Sequence, residues 1–504
     1  MTYNIKKIKN NQLGIITFEI LIAMAILIIV ISAVLPLVSG DQSISVDSQT
    51  NQEALYKAQA LLEDARATSR SDFNSVITTT LTSDDIYQKQ TMVDPDSITQ
   101  CGKDVKSIVT WTTENRPLNI ELTSHFSDIY TAMALGGNCD DNPPSDGWNP
   151  PDTWASSNFN PGSPTGLDAL NRIVYMTGNG NPNSTKNFYI ANTNGVAEGV
   201  SSGLFVNFAN NFMANARLND VKVAKLSDGK IYAFVARNTT TNQFQVIDVS
   251  DIFNPISVGI FQLANVNSSG SYPQAWRIYY YNNRVYVVTR YTAGPELHIF
   301  DVSNPASISE MGNGTELGLT ANGFIIAEKN ISGTLYKFAY MATSSDSKEL
   351  LVLDVTDPLN VTEISNATRN LSNPDYADGN TVFLIGNNLY FGRDSSNPDD
   401  LYVFNAANPF TAVGGLPIVQ SVNIGTSVIG LVVSGSYIFI STPQSNSEFQ
   451  VWTSDPANTI VKVNTTNYNF PNMITLGNGL KYEDDWVYVA SQANDALRIL
   501  YNNP

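Results

Sequence analysis

Leu297-His298-Ile299-Phe300-Asp301-Val302-Ser303-Asn304-Pro305 decides how this chain is read. An apolar strand-forming run enters an Asp-x-Ser turn, and a proline then stops the ladder by fixing φ and removing a donor. The unit returns as Leu350-Leu351-Val352-Leu353-Asp354-Val355-Thr356-Asp357-Pro358, and as Phe244–Ser250 with an insertion before Asn254-Pro255. Leu401–Asn405 leads to Pro409, Phe449–Trp452 to Pro456, and Leu497–Leu500 to Pro504. These six prolines are spaced 50, 53, 51, 47 and 48 residues apart, and Phe188–Thr193 is a degenerate earlier copy. Each copy follows a second apolar run: Arg172–Thr177, Lys230–Ala236, Arg284–Thr289, Tyr336–Met341, Asn388–Gly392, Ser436–Ser441 and Asp485–Ala490. Seven units of about 50 residues have the length and strand content of propeller blades. Stacked solenoids, the structural rival, use shorter repeats.

Within a unit, the Asp and Ser side chains are placed to cap the turn after the third strand. Asp248, Asp301 and Asp354 are therefore expected to be structural, with Pro305, Pro358, Pro409 and Pro456 as ladder stops. The Asp-Val-Ser-Asn-Pro signature resembles the LVIVD-type repeat propellers, a family of mostly extracellular proteins. The expected fold is mainly β, with a seven-bladed β-propeller over residues 166–504 and a linker over 146–165. The last unit reaches Pro504 directly after its third strand. A closed ring would need its remaining strand from elsewhere, and the segment around Ala155–Asn160 is the candidate.

Composition narrows the function. Formal charge is -18, from 28 basic and 46 acidic residues with two histidines, which opposes nucleic acid as a partner. The aspartates near Asp140 and Asp146 do not match a twelve-residue calcium loop and read as a solvated linker. His125 and His298 are far apart, and neither a nucleophile elbow nor a phosphate-binding glycine loop occurs. No enzyme activity, cofactor or metal is expected. Most strand aromatics read as core, although Tyr279-Tyr280-Tyr281 must face both ways, so one of them is a candidate exposed contact for carbohydrate or protein. Cys101 and Cys139 are either two separate thiols or, in an exported chain, a disulfide.

The N-terminal region differs in kind. Ile20–Val38 is a continuous apolar run preceded by Glu19, with Lys6, Lys7 and Lys9 upstream. This pattern predicts a single-pass membrane helix with a cytoplasmic leader and the remainder outside. Gly14-Ile15-Ile16-Thr17-Phe18-Glu19 resembles the processing site of type IV prepilins and the pseudopilins of type II secretion. The resemblance implies a leader over residues 1–14, cleavage by a prepilin peptidase after Gly14, and methylation of Ile15. It also implies that Glu19 pairs with the terminal amine of a neighbouring pilin subunit, and that Pro36 is the helix-disturbing proline. A helix over 15–71 would reach about 85 Å. Leu55, Ala58, Leu62, Ala65, Phe73 and Val76 give it an apolar stripe. The segments 107–112 and 118–123 read as a hairpin packing on that stripe, completing a pilin-like module with a small antiparallel sheet over 15–145. The expected function is a minor pilin or pseudopilin that displays a propeller for adhesion to an unknown extracellular ligand. It would reside in the cell membrane before entering a surface or periplasmic filament. The alternative is a membrane-tethered extracellular binding or sensing protein outside any filament; a propeller enzyme is less favoured.

Overall fold

The computed structural model describes residues 13–71, 73–98, 101–113, 116–128, 148, 151–157, 164–180, 187–200, 205–206, 216–266, 273–290, 292–371, 377–394, 399–454, 459–463, 479–483, 485–491 and 496–502. The protein is mainly β with a long N-terminal helix, and divides into two compact units.

The first unit contains α1 (Leu13–Ser71) and an antiparallel meander of β1 (Thr82–Asp84), β2 (Tyr87–Val93), β3 (Gly102–Thr113) and β4 (Arg116–Ser127). Ala54, Ala58, Leu62 and Ala65 are buried at helical spacing. They form two clusters, one with Tyr87, Val109 and Trp111, the other with Val76, Val93, Val105 and Phe126. The small Ala54, rather than the neighbouring Leu55, is fully buried, because the helix and sheet approach closely there.

The membrane expectation is corrected. α1 runs unbroken through Gly14, Ile15, Glu19 and Pro36, but among the described residues no helix is long and apolar enough to cross a membrane. A single-pass topology with a cytoplasmic leader and a membrane-anchored exterior is therefore overturned, together with the processing scheme tied to it.

Among the described residues, the second unit contains seven four-stranded antiparallel sheets. Sheet one is β6 (Pro164–Leu170), β7 (Ile173–Gly178), β8 (Phe188–Asn192) and β9 (Phe205–Val206). Sheet two is β10 (Arg217–Lys225), β11 (Ile231–Asn238), β12 (Phe244–Asp248) and β13 (Ile256–Phe261). Sheet three is β14 (Ala275–Tyr281), β15 (Arg284–Thr289), β16 (Leu297–Asp301) and β17 (Ser309–Glu310). Sheet four is β18 (Ala321–Ile331), β19 (Thr334–Thr343), β20 (Leu350–Asp354) and β21 (Thr362–Glu363). Sheet five is β22 (Gly379–Ile385), β23 (Asn388–Arg393), β24 (Leu401–Asn405) and β25 (Ile418–Val422). Sheet six is β26 (Gly430–Ser434), β27 (Tyr437–Ser441), β28 (Phe449–Ser454) and β29 (Ile460–Lys462). Sheet seven is composite: β30 (Leu480–Glu483), β31 (Trp486–Ala490) and β32 (Leu497–Tyr501) are completed by β5 (Asp152–Ser157) from far upstream.

Second and third strands are buried on both faces, since each sheet lies between two others. This is why they read as continuous apolar runs instead of alternating ones. Apolar clusters join every sheet to the next, and one cluster joins sheet seven to sheet one through Leu167, Tyr488, Leu497 and Ile499. Each first strand packs on the first strand of the next sheet, and β30 packs on β6. Between those two sheets, Glu483 accepts the Asn171 and Arg172 amides at 2.6 and 3.0 Å. Both turn residues have left-handed φ, 55° and 59°, and the Arg172 guanidinium lies 4.2 Å from the Trp486 ring centroid.

Candidate binding site at the bulged ends of the first strands

The repeat aspartates lie at the ends of third strands. Asp248, Asp301 and Asp354 accept the amides of Ser250, Ser303 and Thr356 at 3.0, 2.8 and 2.9 Å. A second side-chain turn follows in the same units, Asn304 accepting from Ala306 and Asp357 from Leu359. Pro305 and Pro358 sit inside those second turns, and Pro409 opens a short 3-10 turn capped by Asn408. Pro456 lies outside the described residues. The hydroxyl and amide of Ser303 hold the Asp301 carboxyl below its ordinary 3.8. Its contribution to stability is thus present above that pH and is lost as pH falls through the lower folded value. Chemical denaturation of D301A across acidic pH should show that this component is missing.

A second repeated position escaped the sequence reading. The residue just before the third strand is Gln243, Glu296, Glu349, Asp400 or Glu448 in sheets two to six, and all five are buried. Glu296 accepts the amides of Thr292, Leu317 and Gly318 at 3.1, 2.7 and 3.0 Å. Asp400 accepts those of Ile424 and Gly425, Glu349 that of Leu371, and Gln243 that of Leu263. Each of these four thereby holds the segment leading to the next sheet.

The first strands carry the chemistry. Five of them have a one-residue register shift at their start, leaving Thr165, Asn219, Trp276, Asn322 and Asn380 as bulged residues. Three of these donate to a backbone carbonyl next to the following bulge. Thr165 Oγ1 reaches Leu218 O at 2.7 Å, Asn219 Nδ2 reaches Ala275 O at 2.6 Å, and Asn322 Nδ2 reaches Gly379 O at 2.9 Å. Asn380 turns to Asp394 instead, at 2.8 Å. The close approach explains Gly323, where an added Cβ would lie 2.8 Å from Asn380 O. G323A should force sheets four and five apart and cost about 1–3 kcal/mol by thermal melting.

Trp276 breaks the pattern. Its buried indole Nε1 has no acceptor, and the Arg277 and Arg290 guanidiniums lie 4.6 and 3.9 Å from its ring centroid. Arg277 makes the crossing in its place, donating from Nε to Asn322 O at 2.8 Å and from Nη1 to Thr165 O at 3.3 Å. One guanidinium therefore ties sheet three to sheets one and four.

Further along the first strands, opposite charges meet. Lys481 Nζ lies 3.2 Å from Asp168 Oδ1, and Asp168 Oδ2 accepts the Val223 amide at 2.9 Å. Burial pushes the Asp168 carboxyl up, but the Lys481 and Lys222 charges outweigh it and hold it low. Asp220 accepts the Val221 and Ile278 amides. Burial dominates there and raises it, despite Lys222 and Arg277. Among the described residues, no group of three or more His, Cys, Asp or Glu is arranged to hold a metal. None of Tyr279, Tyr280 and Tyr281 is exposed, so the candidate exposed contact among them does not hold. Tyr280 instead stacks 5.3 Å from Phe234, in the core between sheets two and three.

The LVIVD repeat model matches residues 228–262 and 274–315, which fall in sheets two and three. With the repeated four-stranded sheets, this match makes the second unit a β-propeller domain. No curated protein matches the chain. Among solved structures, the computationally designed Ika8 protein matches at 9% identity and a TM-score of 0.43, over 69% of this chain and 99% of that one. The N-terminal domain of Nup159 matches at 12% identity and a TM-score of 0.33, over 66% and 85%. Superpositions that loose carry no part of the argument.

Of the remaining expected site residues, Gly14, Ile15, Glu19 and Pro36 lie in the backbone of α1. Cys101 is buried and disulfide-bonded, while Cys139, the other cysteine of the chain, lies outside the described residues.

Proposed function

We propose that this protein is an extracellular binding protein. In this reading its seven sheets are the blades of one closed propeller, and ligand is taken at the bulged ends of the first strands. The observation that carries the site is the break at Trp276: where its neighbours use Thr or Asn to tie blade to blade, this blade presents an indole flanked by two guanidiniums. A propeller fold hosts many activities, so the choice rests on these side chains and not on the architecture. The disulfide at Cys101 supports an oxidising compartment, and the acidic balance suits a soluble exterior surface. The narrower reading, a filament subunit, has the Gly14–Glu19 resemblance and the length of α1 in its favour. The repeat match has no bearing on it, and the broader reading is the one adopted.

The test is an array of glycans and peptides probed with the full chain. Binding should be lost in W276A and kept in V258D, which alters the outermost strand of sheet two. Loss in V258D with retention in W276A would place the ligand elsewhere.

A further inference from the structure

His298 is a fully buried imidazole on β16, and its partners fix how many protons it carries. Phe300 on β16 opposes Glu310 on β17, so His298, two residues earlier, shares a face of sheet three with Glu310. On that face its Nε2 donates to Pro295 O at 3.0 Å, and its Nδ1 lies 2.6 Å from Glu310 Oε1. A carbonyl oxygen only accepts, so Nε2 must carry a hydrogen. A neutral ring would then leave Nδ1 bare against an ionised carboxylate, two acceptors at hydrogen-bond distance with nothing between them. One proton has to lie in that contact. Imidazole is the stronger base of the two, so the ring is an imidazolium and Glu310 its carboxylate.

The same carboxylate reaches sheet two. Glu310 Oε2 accepts the Ala264 amide at 2.9 Å, and Ala264 lies on the segment that follows β13. Because β17 is only two residues long, its own ladder holds it weakly and this side-chain tie matters more. Gly314 closes over the ring: a Cβ there would lie 2.9 Å from both Cε1 and Nδ1. The charged groups on the surrounding elements are turned elsewhere. Glu296 serves the amides of Thr292, Leu317 and Gly318, and Arg290 lies over Trp276. Asp301 accepts from Ser303, and in sheet two Asp248 pairs with Lys230 at 2.7 Å. Val287, opposite His298 on β15, and residues 262–266 carry no charge. We infer that the proton shared by His298 and Glu310 is a pH-sensitive latch between sheets two and three. While it is held, the imidazolium, the carboxylate and the Ala264 amide form one hydrogen-bonded chain. When it passes to solvent, Nδ1 and Oε1 face each other as acceptors. Glu310, whose side chain is 11% exposed where that of His298 is 0%, then turns outward and gives up Ala264. The latch is closed at lower pH and opens as pH rises through the titration of the ring. It does not depend on ligand binding at Trp276.

The experiment is NMR of the full chain, with pH raised from about 5 until the His298 ring has become neutral. It follows the ring nitrogens of His298 and the exchange protection of the Ala264 amide, the latter corrected for the base-catalysed rise of exchange itself. His125 is the only other histidine of the chain, so H298Q assigns the ring signals. In the wild type both ring nitrogens should be protonated at the start, and Ala264 protection should fall at least tenfold over the same pH interval in which the ring loses its proton. E310Q should hold Ala264 protection constant across that interval, because its carboxamide N–H can donate to a neutral Nδ1 while its oxygen still accepts from Ala264. A ring already neutral at about pH 5, unchanged Ala264 protection while the wild-type ring titrates, or the same fall in E310Q overturns the latch. The first two results come from the wild type alone, so the proposal stays open to refutation even if E310Q does not fold.

Discussion

Ala155→Asp is expected to unfold the propeller domain at a temperature lower by about 5–7 °C, from a cost of about 4–5 kcal/mol. Ala155 is 1% exposed at the centre of β5 and pairs with Ile499. Its cluster contains Leu167, Trp486, Leu497 and Ile499, from the sheets on both sides of the seam. A carboxylate there would be buried among apolar side chains, and a buried charge without a partner is among the most damaging changes a core can receive. The strand is also tied by its backbone: Ser156 N donates to Val200 O at 2.8 Å, and Gly199 N donates to Trp154 O at 2.7 Å. If β5 were only a linker resting on the surface, A155D would melt with the wild type in a differential scanning experiment.

Glu296→Ala should cost about 3 kcal/mol or more, read as a shift in denaturation midpoint at unchanged slope. The alanine would leave the amides of Thr292, Leu317 and Gly318 without their acceptor at a fully buried position. Burial raises the Glu296 carboxyl above its ordinary 4.5, against the pull of the Leu317, Thr292 and Gly318 amides. The folded protein therefore holds this proton more tightly than the unfolded chain. The associated stability is full below 4.5 and is lost as pH rises through the folded value. E296Q should remove that pH dependence and recover part of the stability, since its single carbonyl oxygen can serve only some of the three amides. No difference between E296A and wild type would mean that these amides are satisfied by water.

Second and third strands were legible because burial on both faces writes them as unbroken apolar runs, and because the turns after them repeat the Asp-x-Ser side-chain caps. First strands were not. Asp168, Asp220, Arg277 and Lys481 interrupt the apolar pattern there, and the bulges offset the alternation by one residue. Outermost strands such as Ser309–Glu310 and Thr362–Glu363 are too short to leave any period. Glu296, Glu349 and Asp400 resemble solvated turn residues when met singly. Their recurrence immediately before the third strands of sheets three to five was the available signal. Trp276 becomes conspicuous only once the bulges are aligned and its neighbours prove to be Thr and Asn. The long apolar run at Ile20–Val38 suggested a membrane crossing, and the described helix does not support one.

Closure of the ring by β5 is the claim on which the positions of the first strands, and hence the site, depend. Amide hydrogen exchange of the full chain under native conditions tests it most directly, by comparing residues 152–157 with residues 497–501 of their partner strand. The account predicts that both sets exchange together, through the same cooperative opening as the other sheets. Exchange of the β5 amides by local fraying, while β32 stays protected, would contradict it.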